Sequence, residues 1–519
     1  MKDLTYWALI AEAARRRPDL PLLADEYGRS LTARQFRDAA CATAAAFAER
    51  GIGAGTVVSW QLPTTLETAV VMAALARLGA VQNPIIPILR EHEVGFITAQ
   101  LCTEFLVVPE FWHRFDYGGL ARALATDRGF RVITVDLATP PAAGELRLPR
   151  ASADALGPPR GPTGDARWIY YSSGTTAAPK GIRHTDASVM APAAGLAEKM
   201  GITASDVDPI GFPFAHIGGA VMLAVGLMTG MRLALFEVFD PATTPLSIAA
   251  HNPTFLGMAT PFFLAFLEAQ RDHGDEPLFP FVRGCLAGGA PITPELGHQV
   301  RETFGVAGIA NAWGLTEFPV ATSPPLTGAP EVLDHTVGAP GPGVSVRVVD
   351  AGIELPAGRE GELRLKGPQC FLGYADAALD ADAFDAEGWL RTGDLGLIDE
   401  NGNVRVTGRI KDAIIRNAEN VSAQEVENAL ATHPAVADVA VVGVPDPRTG
   451  ERVCAVVVPA SSDDVSLESL VQHCHSQGLS RYKHPERLVI VDALPRNQFG
   501  KVIKKELREA LASGRLQTW

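Results

Sequence analysis

One lysine, two glycines and four Ser/Thr hydroxyls share a single stretch, Tyr170-Tyr171-Ser172-Ser173-Gly174-Thr175-Thr176-Ala177-Ala178-Pro179-Lys180-Gly181. Short donors around one cation can enclose polyphosphate oxygens. The stretch is not a Walker loop, because Pro179 precedes the lysine and Gly181 stands where a Mg2+-binding hydroxyl would be. A surface turn is built from the same residue types, so on the residues alone both readings stand. A second candidate is 212–219, Phe-Pro-Phe-Ala-His-Ile-Gly-Gly, which puts His216 in uncharged surroundings. His473-Cys474-His475 looks like a metal cluster, but adjacent side chains point in different directions on a helix or strand, and ligation is not expected. The six cysteines are scattered without a CxxC pair, which encodes neither a disulfide framework nor a zinc site and fits a reducing compartment.

The elements that must position these residues fall into three textures. From about Val57 to Trp313, short apolar runs rich in β-branched residues alternate with helix-like segments, the pattern of parallel strands joined by crossover helices. Strands are read at 168–171, 232–239, 254–259 and 282–287. Thr64-x-x-Glu67 is read as a capping box opening a helix that Gly79 closes. The Pro/Gly-rich stretch 156–164 reads as a surface loop. The charge-free segment 209–231 is long enough to span a bilayer, yet Pro213, five glycines and His216 make it a functional loop followed by a buried helix. From Val344 short alternating strands predict a small antiparallel module, with Asn401-Gly402 as a tight hairpin turn. After Gly408, Ser422-x-x-Glu425 caps a helix ahead of two apolar strands, a compact α+β tail.

The chain has 519 residues, with 45 Lys plus Arg against 59 Asp plus Glu, a net charge of −14. Without a basic block, neither nucleic acid nor an anionic membrane is the main partner, and an anionic ligand must be held locally. The N-terminal stretch lacks the uninterrupted apolar run of a signal peptide, so a cytoplasmic location is expected.

Taken together, SSGTTAAPKG at 172–181, AWGLTE at 312–317, GWLRTGDLG at 388–396, GRIKD at 408–412 and LPRNQFGKVIKKEL at 494–507 resemble the adenylate-forming superfamily of acyl-CoA synthetases, nonribosomal adenylation domains and beetle luciferases. The motifs stand in the family's order and span most of the chain. The resemblance implies an α/β fold: a large N-terminal acyl- and ATP-binding domain of parallel α/β sheets (1–408, with its β-rich module at about 340–408) and a small mobile α+β domain (409–519). It also implies ATP-dependent activation of a carboxylic acid as an acyl-adenylate, with release of pyrophosphate and transfer to a thiol. ATP, Mg2+ and coenzyme A as co-substrate follow from it.

Residue by residue, the resemblance makes Lys501 the catalytic lysine that bridges the carboxylate and α-phosphate oxygens, in contrast to an ordinary solvated lysine beside Lys504 and Lys505. Thr316 is expected on the α-phosphate and Glu317 on Mg2+. Ser172, Ser173, Gly174, Thr175, Thr176 and Lys180 are expected around the phosphates. Gly288-Gly289-Ala290-Pro291, Asn311, Ala312, Trp313 and Gly314 are expected at the nucleotide, with Trp313 stacking on adenine. Asp394 should take the ribose hydroxyls and Arg409 lie near ribose and phosphates, and Lys411 falls at the hinge, where any linker would also be polar. The acyl pocket is expected at His216, Ile217, Gly218, Thr260, Ala287 and Gly314. His216 is either a gate towards the thiol tunnel or a core histidine.

Two departures narrow the reading. Asn417-Ala418 replaces the family's Gly-Gly, where backbone lies against pantetheine, so the acceptor is coenzyme A or a carrier protein. The aspartate that pairs with an amino acid's ammonium is absent from 212–219, which favours an uncharged hydrophobic acid: fatty, alicyclic, aryl or sterol side-chain. The competing functions are a stand-alone adenylating ligase that loads a carrier protein, a luciferase-like oxygenase and an inactive nucleotide-binding regulator. Oligomeric state is not legible.

Overall fold

The computed structural model describes residues 4–137, 145–172, 179–416, 419–460, 465–497 and 500–516. Ser173, Gly174, Thr175, Thr176, Asn417 and Ala418 lie outside the described residues.

Three sheets carry the first three quarters of the chain. The largest has seven strands. Its parallel members are Val57–Trp60, Val81–Pro84, Phe105–Pro109, Arg131–Val135 and Trp168–Ser172, and its antiparallel edge is Lys180–His184 followed by Gly373–Tyr374. A second sheet joins Val207–Ile210 and Arg232–Leu235 in parallel to the early strand Pro21–Asp25, with Ser30–Thr32 at its edge. The third runs parallel through Phe255–Met258, Gly284–Gly288 and Ile309–Leu315, then turns antiparallel into Phe318–Ser323. Apolar helices pack against these sheets in one continuous core. Leu66–Leu78, buried over its first ten residues, and Ile217–Thr229 are nearly apolar all round, as helices with no solvent-facing side must be.

The module expected from Val344 is a five-stranded antiparallel sheet with its own core around Leu363, Leu365, Phe371 and Leu390. Its last hairpin joins Leu390–Ile398 to Val404–Arg409 through a five-residue turn over Asp399–Asn403, closed by an Asp399 N–H to Asn403 carbonyl bond, with Gly402 at φ +81. The turn is therefore longer than the tight one expected. Beyond it, Ile414–Arg416, Val436–Asp446, Gly450–Pro459 and Arg487–Ile490 form a further sheet covered by Ala423–Leu430, Leu467–Ser476 and Lys504–Ala512, with two small separate cores. Ser422 caps the first of these helices by accepting the Glu425 N–H at 3.2 Å.

The helix over Leu66–Leu78 begins one residue later than expected. Thr65, not Thr64, is its N-cap, accepting from the Thr68 N–H, and Thr64 instead ties to Phe212 and Phe214. Glu67 does not turn back on the cap. It is fully buried and accepts two bonds from Arg29, which also pairs with Asp25 at 2.7 Å. Gly79 closes the helix at φ +69 as expected. Among the described residues no helix is long and apolar enough to cross a membrane, and no group of three His, Cys, Asp or Glu could hold a metal. His473 instead meets the Thr432 hydroxyl at 2.8 Å, and Cys474 is buried.

Candidate active site

Ser172 and Lys180 are register partners at the connected end of the hairpin formed by Trp168–Ser172 and Lys180–His184, so the stretch singled out for its hydroxyls runs from one strand into the other. At the far end of the same hairpin, His184 is fully buried. Its Nε2 lies 2.7 Å from the Thr316 carbonyl, which can only accept, so Nε2 carries the proton and Nδ1 accepts from the Ser188 hydroxyl. Burial pushes its pKa down to about 4, against the opposing effect of the Thr316 bond. A neutral ring thereby fixes the backbone of the Thr316-Glu317 turn, which links Ile309–Leu315 to Phe318–Ser323. Glu317 is held twice more: the Phe371 N–H donates to its carbonyl, and the Tyr374 hydroxyl donates to Oε1 at 2.9 Å.

Asn311, Ala312, Trp313 and Gly314 follow one another on the strand leading into that turn, and Gly288 and Ala287 pair with Ala312 and Asn311 across the sheet. Gly289 has φ +78, a left-handed conformation that glycine adopts without strain, and with Ala290 and Pro291 it turns the chain away from the strand. Gly314 has a packing role of its own, since a Cβ there would lie 2.5 Å from the Val320 nitrogen. Trp313 is largely buried and its Nε1–H donates to Asp394 Oδ2 at 2.9 Å. Asp394, 2% exposed, also faces Arg409, its register partner on the next strand, at 2.8 Å from Oδ1.

Two oxygens in this region are buried acceptors without an aligned donor among the described residues: Asn311 Oδ1 and Asp394 Oδ1. Arg409 supplies charge to the latter, but its N–H is not directed at the oxygen. An unpaired buried acceptor is costly unless a ligand completes it. A base amino group and a ribose hydroxyl are donors of the required kind.

Lys501 enters from the other end of the chain. Its loop is tightly held: the Lys501 N–H donates to Asn497 Oδ1, the Asn497 N–H donates to the Lys501 carbonyl, and Arg496 pairs with Asp438 at 2.7 Å. Gly500, at φ +72, presses so closely on the start of the helix Thr260–His273 that a Cβ would lie 2.5 Å from Pro261. Burial pushes the Lys501 ammonium down to about 8, Arg409 and Lys411 push the same way, and Asp394 and Asp412 oppose them. The lysine therefore shares the surroundings of Asp394 and Arg409. Lys411 sits in the single turn Ile410–Asp412 between the strand modules, and the neighbouring Asp412 pairs with Arg508 on the last helix. Burial, then Arg409, lower the Lys411 pKa as well.

On the acyl side, His216 caps the helix Ile217–Thr229, its Nδ1 accepting the Gly218 N–H at 3.2 Å. Part of its surface stays open, yet the surrounding protein pushes its pKa down to about 4. Gly218 packs on the Phe212 ring, and Phe239 and Phe262 stand 4.2 Å apart over Gly211. Thr260 opens the helix that carries Pro261 and Phe262, and its hydroxyl points to the Pro291 carbonyl at 3.5 Å. Gly218, Thr260 and Gly314 are partly open, whereas Ile217 and Ala287 are enclosed in the core. Sequence reading missed His184, Tyr374 and the Asp412–Arg508 pair, whose partners lie 132, 57 and 96 residues away and leave no local pattern.

Residues 10–375 match the family model described as AMP-binding enzyme, and residues 425–501 match the AMP-binding enzyme C-terminal domain. The medium-chain fatty-acid–CoA ligase of Escherichia coli K12 is 31% identical over 513 residues, 97% of this chain and 89% of that protein. The salicyl-AMP ligase / salicyl-S-ArCP synthetase of Mycobacterium tuberculosis is 32% identical over 522 residues, 97% of this chain and 91% of that one. ATP-bound MatB from Rhodopseudomonas palustris superposes with a TM-score of 0.85 at 28% identity, covering 98% and 99% of the two chains.

Proposed function

The chain belongs to the AMP-binding enzyme family, and from that premise we propose an acid–thiol ligase that activates a hydrophobic carboxylic acid with ATP and passes it to coenzyme A. In the first half-reaction an acid oxygen bonds to the α-phosphorus, the bond from that phosphorus to the bridging oxygen breaks, and pyrophosphate leaves. In the second, a thiolate sulfur bonds to the acyl carbon and AMP leaves.

The observation that carries this reading is the position of Lys501. Its neighbour Gly500 packs on Pro261 at the start of the helix Thr260–His273, and the charges of Arg409 and Asp394 bear on the Lys501 ammonium. This supports a lysine set to compensate two approaching anions, because positioning and charge are what such a reaction needs. Thr316 offers a hydroxyl to the α-phosphate, and Ser172 and Lys180, paired across the hairpin, offer a hydroxyl and a charge to the outer phosphates. Asp394 receives the ribose hydroxyls, oriented by the Trp313 N–H, and Asn311 Oδ1 receives the adenine amino group. Among the described residues no group of three metal-ligating side chains gathers, and Glu317 is the carboxylate that would hold a Mg2+ carried in by the nucleotide phosphates. When bound, that ion supplies positive charge to the phosphate oxygens.

The division at 408/409 makes Lys411 the hinge on which 409–519 turns after adenylation, removing Lys501 and admitting the thiol. His216, neutral throughout the working range, gates the acyl pocket, and the rings of Phe212, Phe239 and Phe262 favour an uncharged acid. Transfer to a carrier protein is the second reading, favoured by the likeness to a salicyl-S-ArCP synthetase. A panel of fatty, alicyclic and aryl acids, scored by pyrophosphate release alone, with coenzyme A and with a phosphopantetheinylated carrier protein, tests both. Release without any acceptor and thioester only with coenzyme A is expected; no release with any acid would refute the ligase.

A further inference from the structure

Tyr374 touches both ends of the phosphate machinery. Its hydroxyl donates to Glu317 Oε1 at 2.9 Å, and the ammonium of Lys180 stands 5.2 Å from the centre of its ring. The residue is fixed from every side. Its backbone pairs with Ile182 on the phosphate hairpin, and its N–H donates to Asp380 at 2.7 Å. Its ring packs edge-on against Phe371, with centroids 4.9 Å apart. Gly373, at φ +118, lets the chain pass so close that a Cβ would lie 2.6 Å from the Asp380 carboxylate.

We propose that Tyr374 is a positioning residue for the cation carboxylate: it fixes Glu317 through Oε1, so that Oε2 is presented before nucleotide and metal arrive. The proposal rests on the reading of Glu317 as that carboxylate. A glutamate has three rotatable bonds and loses their freedom on binding a metal. A hydrogen bond to a rigid, 7% exposed phenol makes that loss part of folding. Because Lys180 lies over the same ring, one aromatic plane sets the distance between the phosphate-binding cation and the metal-binding anion.

The test compares full-length wild type, Tyr374→Phe, Tyr374→Met and Glu317→Gln, with Mn2+ as the probe. Water-proton relaxation reports Mn2+ bound in the protein–ATP complex without acid, and metal-free AMP binding and thermal unfolding are measured alongside. Tyr374→Phe keeps the ring and loses only the donor. It should weaken Mn2+ about ten- to 100-fold, as loss of one hydrogen bond to a charged group does, and leave AMP affinity and unfolding temperature unchanged. Tyr374→Met should weaken Mn2+ to the same extent and also lower the unfolding temperature through lost packing. In pyrophosphate exchange, the free Mg2+ needed for half-maximal rate should rise by the same factor. If Glu317→Gln loosens Mn2+ and Tyr374→Phe does not, this inference is overturned and the carboxylate reading stands. If Glu317→Gln leaves Mn2+ binding intact, the carboxylate reading itself falls. A parallel loss of Mn2+ and metal-free AMP binding in Tyr374→Phe would mark a merely structural tyrosine and also overturn the proposal.

Discussion

Replacing Lys501 by alanine should separate the two half-reactions. One unit charge about 4 Å from another contributes roughly 4 kcal/mol at the effective dielectric of a protein surface. Lys501 is only partly enclosed, so solvent screening reduces this to about 2–4 kcal/mol, a fall of roughly 30- to 1,000-fold in adenylation. Thioester formation from preformed acyl-adenylate should change by less than about threefold, because in that half-reaction no second anion approaches the phosphate. The pH profile gives an independent reading. With its pKa pushed down to about 8, Lys501 is charged below that pH and neutral above it, so kcat/KM for ATP in pyrophosphate exchange should fall as pH rises through 8. Lys501→Arg keeps its charge throughout and should lose that alkaline limb, whatever it costs in rate. Equal losses in both half-reactions, or an alkaline limb that persists in Lys501→Arg, would refute the assignment.

Asp394→Asn retains the shape but exchanges an all-acceptor carboxylate for an amide, and Arg409 loses its counter-charge; the KM for ATP should rise at least tenfold in pyrophosphate exchange, with little change in the acid's KM. Lys411→Pro fixes φ in the turn Ile410–Asp412 and should hold the tail where it now lies, so that adenylation persists while thioester formation fails. Separate assays of the two half-reactions on folded protein decide this, and parallel rates would remove the hinge. Glu67→Ala leaves Arg29 with only one of its two buried carboxylate partners and should cost about 3–5 kcal/mol in urea unfolding, with adenylation per folded molecule unchanged.

Much of the scaffold could be read from the sequence because it obeys local rules. The strands at Trp168–Ser172, Phe255–Met258 and Gly284–Gly288 are apolar runs between turn residues, and Gly79 and Ser422 end and begin helices by backbone chemistry that needs no distant partner. The errors arose where a local pattern had two physical outcomes. Thr64-x-x-Glu67 has the spacing of a capping box, but the same glutamate can turn inward to a buried arginine, and Arg29 lies 38 residues away. The edge formed by Pro21–Asp25 and Ser30–Thr32 is not legible locally, because these short strands are completed only by Arg232–Leu235.

The candidate site divides along the same line. Motifs mark the groups expected to touch substrate, since those residues cluster along the chain: 172–181, 311–317 and 394–411. The groups that orient them do not cluster. Trp313 reaches Asp394 across 81 residues, His184 reaches Thr316 across 132 and Tyr374 reaches Glu317 across 57. Each of these contacts joins the central sheets or the antiparallel module to the Thr316-Glu317 strand pair, so all remain formed whichever way the last hundred residues lie. With the proposed division at 408/409, Lys501 would depend on that orientation. The Lys504–Glu427 and Arg508–Asp412 pairs tie the segment that follows it to the first tail helix and to the turn at Lys411, so the lysine moves only if the tail moves as a body. On the proposed reading, a preorganised nucleotide site with its decisive charge on a separate carrier would give the ligase control over order, adenylation needing the lysine and the thiol needing its departure.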